Sequence, residues 1–128
     1  MTSILIKDET LASQHHTWSL EFLDEIISAK EFLRRRIFEE VQNHNTKPIE
    51  TYNGLVQPAL EQTLNGTQAK LPRQLDWQAQ YQTALEAFTN NGFVMLWNDQ
   101  QIEDLEQMLE LREGSEVTFL KLTPLVGG

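Results

Sequence analysis

The chain has 128 residues, 40% of them hydrophobic and 9% aromatic, which suits one domain with a packed core and is too rich for disorder. Nineteen acidic side chains against ten basic ones leave a formal net charge of −9, so no nucleic-acid partner is expected, because binding phosphate backbones rests on cations. The absence of cysteine excludes disulfides, thiolate nucleophiles and thiolate-bound metals, and the longest apolar run, Phe93 to Trp97, is far short of a membrane span.

Residues 1–20 lack a basic start followed by an apolar stretch and a small-residue cleavage site, so a cytoplasmic chain with no membrane partner is expected. Ile4, Leu5 and Ile6 open a first strand, interrupted by the polar stretch Lys7 to Thr10. Trp18, Leu20 and Phe22 alternate with Ser19 and Glu21, the period of a half-buried strand, and the two strands are expected to form a hairpin around Ser13 to Thr17. Ser28-Ala29-Lys30-Glu31 has the spacing of a capping box, in which the hydroxyl takes an orphan N–H and Glu31 reaches back. Ala29, Leu33, Ile37 and Val41 then recur every fourth residue, with Phe38 widening the stripe, over a helix that ends near Asn43 to Asn45.

Pro48, Gly54, Pro58, Gly66 and Pro72 punctuate residues 46–72, where a short helix from Pro58 to about Leu64 is expected. Trp77, Tyr81, Ala84, Leu85 and Phe88 share one face of a second helix, capped by Asp76 and stopped in the left-handed region by Asn90-Asn91-Gly92. Phe93 to Trp97 reads as a buried strand and Asn98-Asp99 as a turn. Ile102 begins a short strand with Leu105, Leu109 and Leu111 packing beneath it, Arg112 to Ser115 form a turn, and Glu116 to Leu122 make the final strand. This order implies an α+β fold.

The chain closes on Pro124-Leu125-Val126-Gly127-Gly128. Two glycines without Cβ atoms can thread a narrow channel, and Pro124 stiffens their base. A carboxylate on such a stalk is suited to enter another protein's active site. Residues 93–128, through Asn98 to Leu105, Glu113 to Leu122 and this ending, resemble the second half of a ubiquitin-like β-grasp domain. The Pro-containing tail is similar to those of molybdopterin-synthase small subunits and thiamine-pathway sulfur carriers, and the resemblance extends to bacterial proteins with an Arg-Arg-Arg helix.

The resemblance implies a single β-grasp domain over 1–128, a mixed sheet packed on a central helix, with a helical insertion at 46–92 and a tail at 123–128. It implies a carrier or modifier protein rather than an enzyme. Its Gly127-Gly128 carboxylate would be activated by a partner adenylating enzyme, with Pro124, Leu125 and Val126 bound by that partner. The ATP and magnesium belong to the partner, and no cofactor is expected on this chain. Sulfur transfer and conjugation to a target lysine both remain open, as does a non-catalytic interaction module whose tail docks without reacting.

Other features have plainer expectations. Arg34-Arg35-Arg36 reads as the solvated face of the first helix, laced with Glu31, Glu39 and Glu40. His15-His16 is not expected to hold a metal, since neighbours on a strand point to opposite faces. Glu103, Asp104, Glu106, Glu110 and Glu113 read as a solvated acidic surface near the base of the tail, and Trp77, Tyr81 and Phe88 as core.

Overall fold

In the computed structural model, which describes residues 1–11, 15–46, 54–56, 61–62, 69–70 and 74–122, the first strand β1 runs unbroken over Thr2–Thr10. The polar stretch from Lys7 does not interrupt it. Ile4, Ile6 and Asp8 alternate inward, and Asp8 is only 8% exposed. Strand β2 (His15–Phe22) pairs antiparallel with β1, setting Leu20 opposite Ile4 and Trp18 opposite Ile6, as the hairpin expectation requires.

A short strand β3 (Ile26–Ser28), absent from the sequence-based expectation, leads into helix α1 (Ala29–Thr46). Ser28 Oγ accepts the Glu31 N–H at 3.1 Å, the first half of the capping box. The second half is replaced: the Glu31 carboxylate receives Arg34 and Arg35 instead. The Ala29 and Lys30 N–H groups donate to the carbonyls of Gln107 and Leu105, both at 2.8 Å. A distant segment therefore satisfies the helix's orphan donors.

Between α1 and the second helix, β4 (Glu61–Gln62) pairs antiparallel with β5 (Ala69–Lys70). Glu61 and Gln62 thus stand in a strand where a helix from Pro58 to Leu64 was expected; the rest of that span lies outside the described residues. Both side-chain hydrogen-bonding groups of Asn45 engage the backbone of Leu75, tying the end of α1 to the entry of α2 (Trp77–Thr89). Asp76 caps α2 by accepting the Gln78 N–H at 3.0 Å. The left-handed stop sits at Asn91, with φ of 58°, while the Gly92 N–H closes back on the Ala87 carbonyl at 2.7 Å.

Strands β6 (Phe93–Trp97) and β7 (Gln100–Ile102) form a hairpin through Asn98 and Asp99, whose φ angles of 48° and 69° are those of the mirror-image two-residue turn. Asp at the second position is tolerated less well than glycine. Asp99→Gly is expected to stabilise the fold by about 0.5 kcal/mol, after the entropy of the added glycine is deducted. Urea unfolding checks it; a lower midpoint would contradict the strain reading.

Strand β8 (Met108–Glu110) pairs with β3, and β9 (Glu116–Lys121) enters the centre of the main sheet. The strand order is β2-β1-β9-β6-β7, with β9 parallel to β1 and antiparallel to β6. The fold is α+β: a mixed five-stranded sheet with α1 packed against one face. Phe32 of α1 stacks on Phe22 at 5.0 Å and lies 6.4 Å from Phe119. With Leu33, Ile37, Ile4, Ile6 and Met95, none of them exposed, these rings form the core. Each such side chain contributes roughly 1.5–3 kcal/mol by leaving water. Trp77 meets Phe38 edge-on at 5.5 Å where α2 leans on α1, and Phe88 meets Phe93 at 5.9 Å.

Candidate functional site

The residues singled out for function, Pro124, Leu125, Val126, Gly127 and Gly128, lie outside the described residues. What the structure describes is the platform they leave. The Leu122 N–H donates to the Gly92 carbonyl at 3.0 Å, so the last described residue is tied to the start of β6. Because β9 is central, both its edges are hydrogen-bonded. The last described residues are therefore fixed to the sheet.

Under this end of the sheet lies a buried charge cluster that sequence reasoning missed. Arg36 is fully buried, which corrects the reading of Arg34-Arg35-Arg36 as a solvated face. Its two Nη groups meet both oxygens of Asp8, the second at 2.8 Å, and its Nε donates to Glu40 Oε1. The guanidinium lies 4.3 Å from the centre of the Phe119 ring and 5.4 Å from that of Trp18. Asp8 Oδ2 also accepts the Trp18 indole N–H at 3.1 Å. Arg34 and Arg35 are half-buried rather than solvated: Arg34 pairs with Glu31 and covers Trp77, while Arg35 pairs with Asp24 at 2.6 Å.

The signal for this cluster was present in two periodicities. Asp8 continues the inward alternation of Ile4 and Ile6. Arg36 follows Phe32 and precedes Glu40 at four-residue spacing, beside Leu33 and Ile37. Burial disfavours the Arg36 charge, but the Glu40 and Asp8 carboxylates that face it outweigh burial and hold its pKa above the ordinary arginine value.

A second cation completes the cluster. Lys121, at the end of β9, interacts electrostatically with Asp8, Glu40 and Arg36 and donates from Nζ to the Gly54 carbonyl at 3.1 Å. Two carboxylates and two cations then balance. Gly54 opens a tripeptide held on three sides. The Leu55 N–H donates to Glu40 Oε2 at 3.2 Å, and Gln80 Nε2 of α2 donates to the Val56 carbonyl at 3.2 Å. Leu55 and Val56 are each 1% exposed.

Burial, then the Arg36 charge, hold the Lys121 ammonium below its ordinary 10.5, against the opposing pull of Asp8 and Glu40. With the folded value below the unfolded one, the unfolded chain binds more protons between the two. Stability from this group therefore rises with pH through that window, up to 10.5. Lys121→Met removes the dependence. Urea unfolding from neutral pH towards 10.5 is expected to show the unsubstituted chain gaining on the variant; a constant difference would contradict the assignment.

Glu110 and Glu113 do not lie at the base of the tail as expected. Glu113 accepts the Ser3 N–H at 2.8 Å, at the start of β1 and β9, and the six residues of β9 put about 20 Å between it and the outgoing chain. Glu110 pairs with Arg112 at that same end. His15 and His16 are consecutive on β2 and both exposed, with His15 3.8 Å from Glu9. Among the described residues no three His, Asp or Glu side chains are placed to hold a metal ion, and no helix is long and apolar enough to cross a membrane. A shallow depression on α2, lined by Gln82, Leu85, Glu86, Thr89 and Asn90, carries Glu86 as its one ionisable group. No family model, curated protein or solved structure matches this chain.

Proposed function

We propose that this chain is a ubiquitin-like β-grasp protein whose Gly127-Gly128 terminus is the reacting end of a carrier, activated by a partner adenylating enzyme. The fold part of this reading is supported by the hairpin, helix α1 laid across the sheet, and the central position of β9 between β1 and β6. Residues 4–6, 18–22 and 117–121 share one sheet, which the reading requires. The observation that carries the functional part is that the chain departs from a strand bonded on both edges, with Leu122 pinned to Gly92. Such a base can present an extended tail at small cost in domain disorder.

The chemistry is as follows. A Gly128 carboxylate oxygen attacks the α-phosphate of ATP held by the partner, and pyrophosphate leaves. The acyl-adenylate then reacts with hydrosulfide, giving a thiocarboxylate, AMP and a proton, or with a partner thiol, giving a thioester that passes to a lysine amine. An ionised carboxylate has no leaving group, and adenylation supplies one. The partner supplies the magnesium and phosphate contacts. This chain supplies the stalk: two residues without Cβ and a proline at its root.

Intact-mass analysis of the native protein, isolated from its own cells with the terminus mapped, tests the proposal. The expected result is replacement of one oxygen by sulfur at Gly128, or an isopeptide branch from Gly128 to a lysine. A wholly unmodified tail after incubation with ATP and cell extract overturns it in favour of a module whose tail docks without reacting.

A further inference from the structure

Strand β2 is one edge of the main sheet, and among the described residues β1 is the one strand paired with it. Which of its backbone groups are left over follows from the ladder. The Leu5 N–H donates to the Ser115 carbonyl at 3.1 Å, so odd-numbered residues of β1 turn their backbone groups to β9 and even-numbered ones to β2. Ile4, Ile6 and Asp8 stand opposite Leu20, Trp18 and His16, which therefore turn theirs to β1. The N–H and C=O groups of His15, Thr17, Ser19 and Glu21 point away from the sheet, and all four residues are exposed.

Edges of this length are commonly blunted by proline, lysine, a bulge or a covering segment. The eight residues of β2 contain no proline, lysine or arginine. The strand runs in unbroken register from His15 opposite Glu9 to Phe22 opposite Thr2, so it carries no bulge. The other edge, β7, is only three residues long.

A second copy of β2 fits this edge. Two such strands meeting about a twofold axis run antiparallel, and inward side chains stay beside inward ones only when residues of the same parity oppose. With the axis at Trp18, Thr17 stands opposite Ser19 and His15 opposite Glu21. These are the residues with outward backbone groups, so each pair exchanges two hydrogen bonds. Trp18 faces its own copy in the non-hydrogen-bonded position, where side chains approach most closely and aromatic pairs gain most. Each His15 imidazole meets a carboxylate, and no like charges are opposed. An axis at Ser19 would instead set Glu21 against Thr17 and lose that match.

The axis stands perpendicular to the sheet. It joins the two five-stranded sheets edge to edge, keeps both α1 helices on one face, and sends the ends of the two β9 strands in opposite directions. Pairing consumes β2 and leaves only the short β7 edge, so assembly closes at two copies rather than growing into a fibre.

We infer that the β2 edge is a homodimer interface, in which Thr17 and Ser19 of two copies pair antiparallel across a twofold axis at Trp18. The pairing needs neither ATP nor an adenylating enzyme, so it stands or falls apart from the carrier reading.

Amide hydrogen exchange on the full chain, from micromolar to millimolar protein, tests it. The Trp18 and Leu20 amides are bonded to β1 and stay protected throughout. The Thr17, Ser19 and Glu21 amides are expected to gain about tenfold in protection as concentration rises, while sedimentation reports a dimer. Ser19→Pro removes one outward N–H and no bond of the β1 ladder, at a position where an edge strand accepts proline. This variant is expected to sediment as a monomer at every concentration. If it unfolds, exchange in the unsubstituted chain decides alone. Odd-numbered amides whose exchange ignores concentration overturn the inference: fast exchange means a bare edge, slow exchange an edge covered within one chain. A dimer that leaves those amides unprotected places the contact elsewhere and overturns it as well.

Discussion

Arg36→Met is expected to cost the fold about 3–5 kcal/mol, the penalty for removing one partner from a buried ionic cluster. The side chain is fully buried and answers two carboxylates at once, both oxygens of Asp8 and one of Glu40. Methionine fills much of the volume but leaves two acids facing each other with Lys121 as the remaining cation in the cluster. Against a total stability of roughly 5–15 kcal/mol for a small domain, this is between about a fifth and the whole of it. Urea unfolding reads the loss. A loss below about 1 kcal/mol, the value of an exposed pair, would show that the cluster is solvated after all.

Replacing Arg36, Asp8 and Glu40 together with apolar residues separates charge from packing. Buried pairs are often matched by hydrophobic substitutes, so a triple variant is expected to recover part of the deficit. Recovery is incomplete here because Asp8 also accepts the Trp18 indole and Glu40 the Leu55 amide. Both donors are left without these acceptors in the variant.

Gly128→Ala is expected to lower adenylation by about a hundredfold or more, while the unfolding midpoint stays where it was. On the carrier reading, a methyl at Gly128 would obstruct a narrow partner channel, and a displacement of about 1 Å at the reacting atom is enough for a loss of that size. Stability is unaffected because the position lies beyond the last residue of the sheet and beyond Leu122. Pyrophosphate release with the cognate adenylating enzyme is the readout. Normal turnover by the variant sinks the carrier reading, and loss of folding would move Gly128 into the domain. The two substitutions report on opposite links: Arg36 on the platform, Gly128 on the chemistry it presents.

Secondary structure was legible wherever one local pattern ran without competition. The alternation of Trp18, Leu20 and Phe22 located β2, and four-residue spacing located α1 to within one residue of its observed end. The cap at Asp76 and the turn at Asn98-Asp99 follow from side-chain chemistry within a few residues, and both stand as read. Polar residues that keep the inward phase of their element depart from that pattern. Lys7 to Thr10 have the composition of a break and Arg36 that of a solvent-facing charge, because apolar periodicity alone does not register a buried polar side chain. Asp8 and Arg36 keep the inward phase of their elements and are tolerated there because each neutralises the other. Glu31 was expected to close a capping box, but two arginines compete for it, and the helix donors go to Leu105 and Gln107 instead.

By itself the sequence determined what local rules determine: strand and helix periods, turns, the lack of thiols in these 128 residues, and the Pro-Leu-Val-Gly-Gly run at 124–128. Only the tertiary structure decided which charges are buried, that Gly54–Val56 is held by Lys121, Glu40 and Gln80, and that β3 finds β8. The reason is range. A three-residue strand has no stability alone, and although Asp8 and Arg36 each keep the inward phase of their own element, neither segment says that the two meet. Such contacts exist only once the sheet has brought distant residues together and removed the water that would otherwise screen them.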